Sequence, residues 1–325
     1  MSVFIIRRLI YSVVVVFIMT LIVFFGVMVI GNPVDILIGQ DCDGPCREMT
    51  IRAFGLHLPL HEQYFTFLKN ALKGELGVSF KAGIPAIHLI IQRMPATLEL
   101  AFCAMVIAVG FGIPLGMWAG LKPDSVSGKA IMGGSILGFS LPSFWVGVML
   151  MMIFAVYLQW LPATGRGDTV EVRGIEVSFL TLDGLSHLIL PAFNLALFKL
   201  SLVIRLTRAG MREALLMDYV KYARAKGLTM KRVVFIHVLK NILIPVVTVL
   251  GLELGNVIAF SVVTETIFAW PGMGKLLIES IDVLDRPVVV AYLMITVFMF
   301  IMINLAIDIL YSVLDPRVRV EDVKQ

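Results

Sequence analysis

Apolar residues fall along this chain in long unbroken runs, not in the two-residue or three-to-four-residue alternation of elements that face water. Crossing the hydrocarbon of a bilayer takes roughly 20 such residues per helix, and six runs qualify, at about 9–30, 96–120, 131–159, 187–209, 242–264 and 288–312. The pattern predicts an all-α polytopic membrane protein with six transmembrane helices, and an even number of spans leaves both termini on one side. Basic residues choose that side. Arg7 and Arg8 precede the first run, Arg317 and Arg319 follow the last, and the segment 210–241 carries seven Lys/Arg (Arg212, Lys221, Arg224, Lys226, Lys231, Arg232 and Lys240) against Glu213 and Asp218. Excess Lys and Arg stay cytoplasmic, which assigns cytoplasmic N and C termini. The opposite loops agree, since 160–186 has two basic residues against four acidic and 266–286 has two against three.

Composition supports one membrane domain over residues 1–325. The chain is 59% hydrophobic and 15% charged, with a mean hydropathy of +0.94, whereas soluble domains are near a quarter charged. The net charge of +4 is accounted for by the cytoplasmic loops, so no nucleic-acid partner is implied. Residues 1–30 have a basic start and an apolar core but reach full span length without a small-residue cleavage pattern, so they are expected to be a retained span. Between the first two spans, 31–95 should form an external helical cap. Leu60, Tyr64, Phe67, Leu68, Ala71 and Leu72 share a helical face there, Gly74 is placed to stop that helix, and Pro85 to open a second through Ile91. Cys42 and Cys46, in CDGPC, are a possible disulfide in an oxidising compartment, and Cys103 is expected to be a packing residue inside a span. Trp160 and Trp270 at outer span ends and Trp118 near an inner one are placed as interfacial belt residues.

Enzymatic chemistry finds no footing. The HExxH zinc pattern begun by His61 and Glu62 fails at Phe65, and the apparent nucleotide loop around Gly272, Gly274 and Lys275 has Ala269 and Leu276 where the Walker pattern needs Gly and Ser or Thr. No metal site is assigned. Charges inside spans, each costing about 2.5–3.5 kcal/mol at the bilayer centre, carry more information. Lys199 and Glu253 fall at complementary depths near the midplane of the fourth and fifth spans, so they are expected to pair, either as a structural bridge or on the wall of a translocation pathway. Arg205 and Asp308, near inner span ends, read as a helix clamp. Glu99, Asn194, Glu265 and Asn304 read as helix-to-helix hydrogen-bonding residues.

Residues 221–227, KYARAKG, align with the EAA signature of ABC importer permeases, the loop that docks into the ATP-binding subunit. Ala223 and Gly227 match, while Lys221 and Tyr222 stand where the signature has Glu and Ala, and Lys240 where it later has Pro. The longer run DYVKYARAKGLTMKRVVFIHVLKN resembles the form found in dipeptide and oligopeptide permeases. So do GLHLPLHEQYFTFLKNALKGELGVSF (55–80), PATLEL (95–100), HLILPAFNL (187–195), ETIFAWPGMGKLL (265–277) and NLAIDILYSVLDPRVR (304–319). The chain thus resembles the permease subunits of dipeptide, oligopeptide and nickel ABC importers.

That resemblance implies a type I importer permease fold in the bacterial inner membrane, moving di- or oligopeptides by alternating access. It implies a non-catalytic subunit that binds no cofactor, with ATP and Mg on two separate ATP-binding subunits. The other implied partners are a second homologous permease subunit and a periplasmic or lipid-anchored substrate-binding protein. The segment 210–241 becomes the coupling loop, with Asp218, Lys221, Tyr222, Ala223, Arg224, Ala225, Lys226, Gly227 and Leu228 as the coupling residues. Glutathione, a nickel complex or an opine is an alternative cargo within the family. A stand-alone secondary carrier is the alternative of a different class, using the midplane charges for ion coupling and having no need of the basic loop.

Overall fold

The computed structural model describes residues 2–29, 44–53 and 57–314. The helices are α1 (Ser2–Val29), α2 (Gly44–Ala53), α3 (Leu60–Leu72), α4 (Ala86–Leu121), α5 (Val126–Ser140), α6 (Ser143–Leu150), α7 (Leu182–Ala214), α8 (Asp218–Ala225), α9 (Met230–Arg232), α10 (Leu239–Ile267), α11 (Met273–Asp282) and α12 (Arg286–Leu314). α6 continues into a π-helical turn at Met151–Tyr157, and a second π-helical turn, Val233–Val238, joins α9 to α10. Among the described residues, α4, α7, α12 and the continuous Met230–Ile267 helix are long and apolar enough to cross a membrane. α5 and α6 qualify only together, bent by 109° at their junction, and α1 has a shorter apolar stretch at Ile10–Gly26. Cys42 and the Cys46 side chain lie outside the described residues, as does the Asp308 side chain.

The chain divides into two compact units. One comprises Met1–Pro95 and Gly272–Met302. Within it α3 lies on α1: Tyr64 is buried against Phe17 and Phe24, and its hydroxyl shares a 2.8 Å hydrogen bond with Thr20 Oγ1. The expected apolar face of the cap helix is only partly covered, because Leu60 and Leu72 remain exposed. Gly74 ends the helix as predicted, at φ +80°. The second cap helix does not exist as a separate piece. Residues 86–91 are instead the first turns of α4, which runs through Pro95. The loop before α4 is fixed by buried Asp285, whose carboxylate accepts from Ser79 Oγ (2.5 Å) and from the Phe80 (3.1 Å) and Lys81 (3.4 Å) backbone N–H groups.

The other unit, Ala96–Pro271 with Ile303–Gln325, is organised by small residues. Gly112, Gly116 and Gly120 recur every fourth position on α4, and a Cβ at each would sit 2.7 Å from Val203 Cγ1, 2.7 Å from the Ile204 carbonyl oxygen and 2.6 Å from Met211 Cβ. Three successive glycines therefore let α4 and α7 approach backbone to backbone. In lipid, where burial of apolar surface gives no net drive, such close packing is what holds helices together. α7 packs in turn on α5 and α10.

The third predicted span, 131–159, is broken. Pro142 has no N–H to continue the ladder, and it holds the preceding residue out of the helical region: Leu141 is extended, at φ −82° and ψ 137°. The loop before α7 contains a β-hairpin, β1 (Val170–Val172) paired antiparallel with β2 (Ile175–Val177). Its turn residues Arg173 and Gly174 both have positive φ, the type I′ geometry that matches strand twist.

Trp270 is not an interfacial residue. It is fully buried, and its Nε1 donates to the Ala96 carbonyl at 2.9 Å. Glu99 likewise does not join helices but ties down the hairpin loop. One carboxylate oxygen accepts from the Ser178 N–H (2.6 Å), Ser178 Oγ (2.8 Å) and the Phe179 N–H (2.8 Å), and the other from Arg166 Nε (3.1 Å) and Nη2 (2.7 Å). Glu99→Ala would leave the largely buried Arg166 guanidinium with only Glu176, whose carbonyl accepts from Nη2 at 2.6 Å, and would strand three donors. Removing one partner of a buried pair costs about 3–5 kcal/mol, so trypsin is expected to cut at Arg166 or Arg173 much faster in that variant. An unchanged digestion rate would show that other contacts hold the loop. Glu265 and Asn194 do join helices: Glu265 accepts from Thr97 Oγ1 (2.7 Å), and Asn194 Nδ2 donates to Thr264 Oγ1 (3.2 Å).

Candidate functional site

The residues expected to couple to a partner, 218–228, form a short helix with two distinct faces and the turn that ends it. α8 opens with Asp218 and closes with Arg224, each complementing the helix dipole at its end. It stops at Gly227, whose φ of +81° is the left-handed conformation that glycine takes without a Cβ penalty. The Gly227 N–H donates to the Arg224 carbonyl (2.9 Å) and the Leu228 N–H to the Ala223 carbonyl (3.2 Å), the paired bonds of a Schellman motif. Nothing lies within 4 Å of a Cβ built on Gly227, so this glycine serves the turn within the chain.

The inner face of α8 is welded to the transmembrane helices. Val220 and Ala223 are buried in one cluster with Met211 and Ala214 of α7, Val233, Val234 and Val238 of the π-helical turn, and Ile242, Val246 and Leu250 of α10. Tyr219 and Leu228 pack at its edge. The smallness of Ala223 is therefore used inside the chain. The outer face carries Lys221, Tyr222, Arg224, Ala225 and Lys226, all exposed. Tyr222 is 63% exposed, with Lys226 Nζ 4.6 Å from its ring centroid, and Lys221 pairs with Asp218 at 2.9 Å. Tyr222 and Arg224 thus both face outward, and Tyr and Arg are among the side chains that carry most of the contact energy at protein interfaces.

Lys199 and Glu253 meet. The Nζ of Lys199 on α7 contacts Glu253 Oε2 on α10, forming a salt bridge near the middle of the two spans. Lys199 is 7% exposed. The pair lines a cavity of about 520 Å³. The sequence did not announce this cavity, because it exists only where α5 and α6 turn away from each other at Pro142. It is lined by Phe139 and Leu141 before the bend and Ser143 and Val146 after it, by Asn194 and Phe198 on α7, and by Asn256 and Phe260 on α10. Phe139 stacks on Phe198 at 4.4 Å and also receives the Arg205 guanidinium 4.5 Å from its centroid, so Arg205 caps an aromatic pair. The two candidate regions share the same two helices: α8 packs on α7 and α10, and Lys199 and Glu253 are carried by them.

Comparisons with known proteins place the chain in a family. A family model described as binding-protein-dependent transport system inner membrane component matches residues 112–320, and the model of its N-terminal part matches residues 1–101. The di/tripeptide transport system permease protein DppB of Pseudomonas aeruginosa (strain UCBPP-PA14) is 40% identical over 330 residues, covering 97% of this chain and 98% of that protein. The dipeptide transport system permease protein DppB of Escherichia coli (strain K12) is 38% identical over 310 residues, covering 90% and 91%. Among solved structures, one of inward-facing conformations of the MetNI methionine ABC transporter superposes with a TM-score of 0.52 at 15% identity, over 70% of this chain and 96% of that one, a likeness of fold alone.

Proposed function

This chain belongs to the binding-protein-dependent transport system inner membrane components, and we propose that it is one of two homologous permease subunits of an ATP-driven peptide importer. It is a multi-pass inner membrane protein. In this reading α1 and the bent α5–α6 pair bring the spans to six, both termini and α8 are cytoplasmic, and two ATP-binding subunits hold ATP and Mg while the chain itself is non-catalytic. A periplasmic or lipid-anchored binding protein delivers a di- or oligopeptide to the outer face, a reading supported by the binding-protein-dependent family and by relatives that are peptide permeases.

The observation that carries the reading is the two-faced α8. Its outward Tyr222, Lys221, Arg224 and Lys226 fit a partner, while its buried face shares one apolar cluster with α7 and α10. Close-packed clusters shift between discrete arrangements and do not deform continuously. A push on α8 therefore moves the helices that carry Lys199 and Glu253. A stand-alone carrier would have no use for this lever.

Lys221→Glu with Arg224→Glu reverses charge on the exposed face only. Membrane abundance is expected to stay near wild type, while copurification of the ATP-binding subunits and uptake of a labelled dipeptide both fall at least tenfold. Normal uptake with no associated ATPase would favour the carrier reading and remove this one.

A further inference from the structure

We propose that the Lys199–Glu253 pair opens to take the two termini of a short zwitterionic peptide, the peptide carboxylate on Lys199 and its ammonium on Glu253. This rests on the peptide-importer reading and adds how the membrane subunit recognises its cargo. The cavity, about 520 Å³, lies within the size of small-ligand sites, roughly 300–1,000 Å³. Lys199 and Glu253 are the charged residues lining it, and they neutralise each other. A ligand with one charge would meet attraction from one and repulsion from the other, and would leave a buried charge unpaired. A ligand that carries one charge of each sign can replace both partners at once. The site's net charge then stays at zero and no charge is left unpaired, so the cost of desolvating the ligand's own two ions is offset by two new ion pairs formed in place of one.

A third group completes the site. Asn194, 3% exposed, gives its Nδ2 to Thr264, and its buried Oδ1 has no hydrogen-bond partner. A buried acceptor left open costs free energy until a donor arrives, and the ammonium or an amide N–H of a peptide supplies one. The remaining walls are largely apolar, with Phe139, Phe198 and Phe260 available to side chains without hydrogen-bonding demands. Such a site reads the termini and tolerates the side chains between them.

The test uses the whole complex, this permease with its partner permease and ATP-binding subunits, reconstituted in nanodiscs without the binding protein so that only the membrane site is read. Thermal unfolding is followed while titrating Ala-Phe, N-acetyl-Ala-Phe and Ala-Phe amide. The free dipeptide is expected to raise the unfolding temperature, and each capped form to need at least tenfold more for the same shift. In K199M/E253Q the preference for the free dipeptide should drop below twofold. K199E/E253K, which keeps a pair of reversed polarity, should retain it. Equal shifts from free and capped peptides in the wild type, no shift at all, or a preference surviving in folded K199M/E253Q would each overturn the proposal. Dipeptide uptake by cells carrying the full transporter separates the two readings. Uptake together with any of those results removes the terminus-reading site alone, whereas absent uptake removes the importer reading beneath it.

Discussion

Lys199→Met is expected to lower the amount of folded permease in the membrane severalfold, and Glu253→Gln to do the same. Each leaves its partner as an uncompensated charge among apolar walls, and breaking a buried pair from one side costs about 3–5 kcal/mol. Native proteins have only about 5–15 kcal/mol in hand. The double change removes both charges and leaves no orphan, so abundance should return to near wild type. Uptake should not return with it, staying at least tenfold down, because the cavity then has no charge to offer a substrate. The check is a double-mutant cycle on abundance and uptake. Strictly additive losses in abundance would mean that the two residues do not interact in the folded protein. Full recovery of uptake in the double variant would make the bridge a purely structural one.

A second large effect is expected at Gly116. Its missing Cβ would lie 2.7 Å from the Ile204 carbonyl oxygen and 2.7 Å from Thr207 Cβ. A main-chain oxygen cannot turn aside as a side chain can, so Gly116→Val must separate α4 from α7. Overpacking of this kind costs about 1–3 kcal/mol, and the apolar cluster beneath α8 is anchored on the same helix. The variant should lose most of its folded population after detergent extraction. Gly112→Ala meets only side-chain atoms there, of Val203 and Leu200, and should be milder. Gly133→Ala and Gly134→Ala have no neighbour within 4 Å and should be neutral, or slightly stabilising through helix propensity. Thermal-shift midpoints for the four variants check that order. If Gly116→Val were as stable as Gly133→Ala, the close helix approach would be wrong.

Both predictions draw on features that the sequence displayed unequally. The Gly112, Gly116 and Gly120 spacing lies inside an apolar run, but glycines four apart mark a close helix seam only once a facing helix is known, and the seam was not expected from the sequence. Its partner helix was not legible, because any of the other spans could have faced it. Lys199 and Glu253 were legible as a pair, since two opposite charges at matching depth in lipid have few other ways to be satisfied. Glu99 and Trp270 were misread for a common reason. Depth in a hydropathy profile fixes how far a residue lies from the membrane surface but not its direction about the helix axis. Glu99 turns to a loop that folds back over it, and Trp270 turns inward to a carbonyl.

Sequence by itself determined the lipid-spanning character, the basic segment 210–241 and the charges that must find partners. These follow from transfer free energies that act on each residue or short run separately. Tertiary structure alone decided that the third apolar run breaks at Pro142, that this break opens a cavity onto Lys199 and Glu253, and that Ala223 faces inward while Tyr222 faces out. Those outcomes depend on which surfaces meet across distant parts of the chain, and pairwise packing leaves no trace in the hydropathy of either partner.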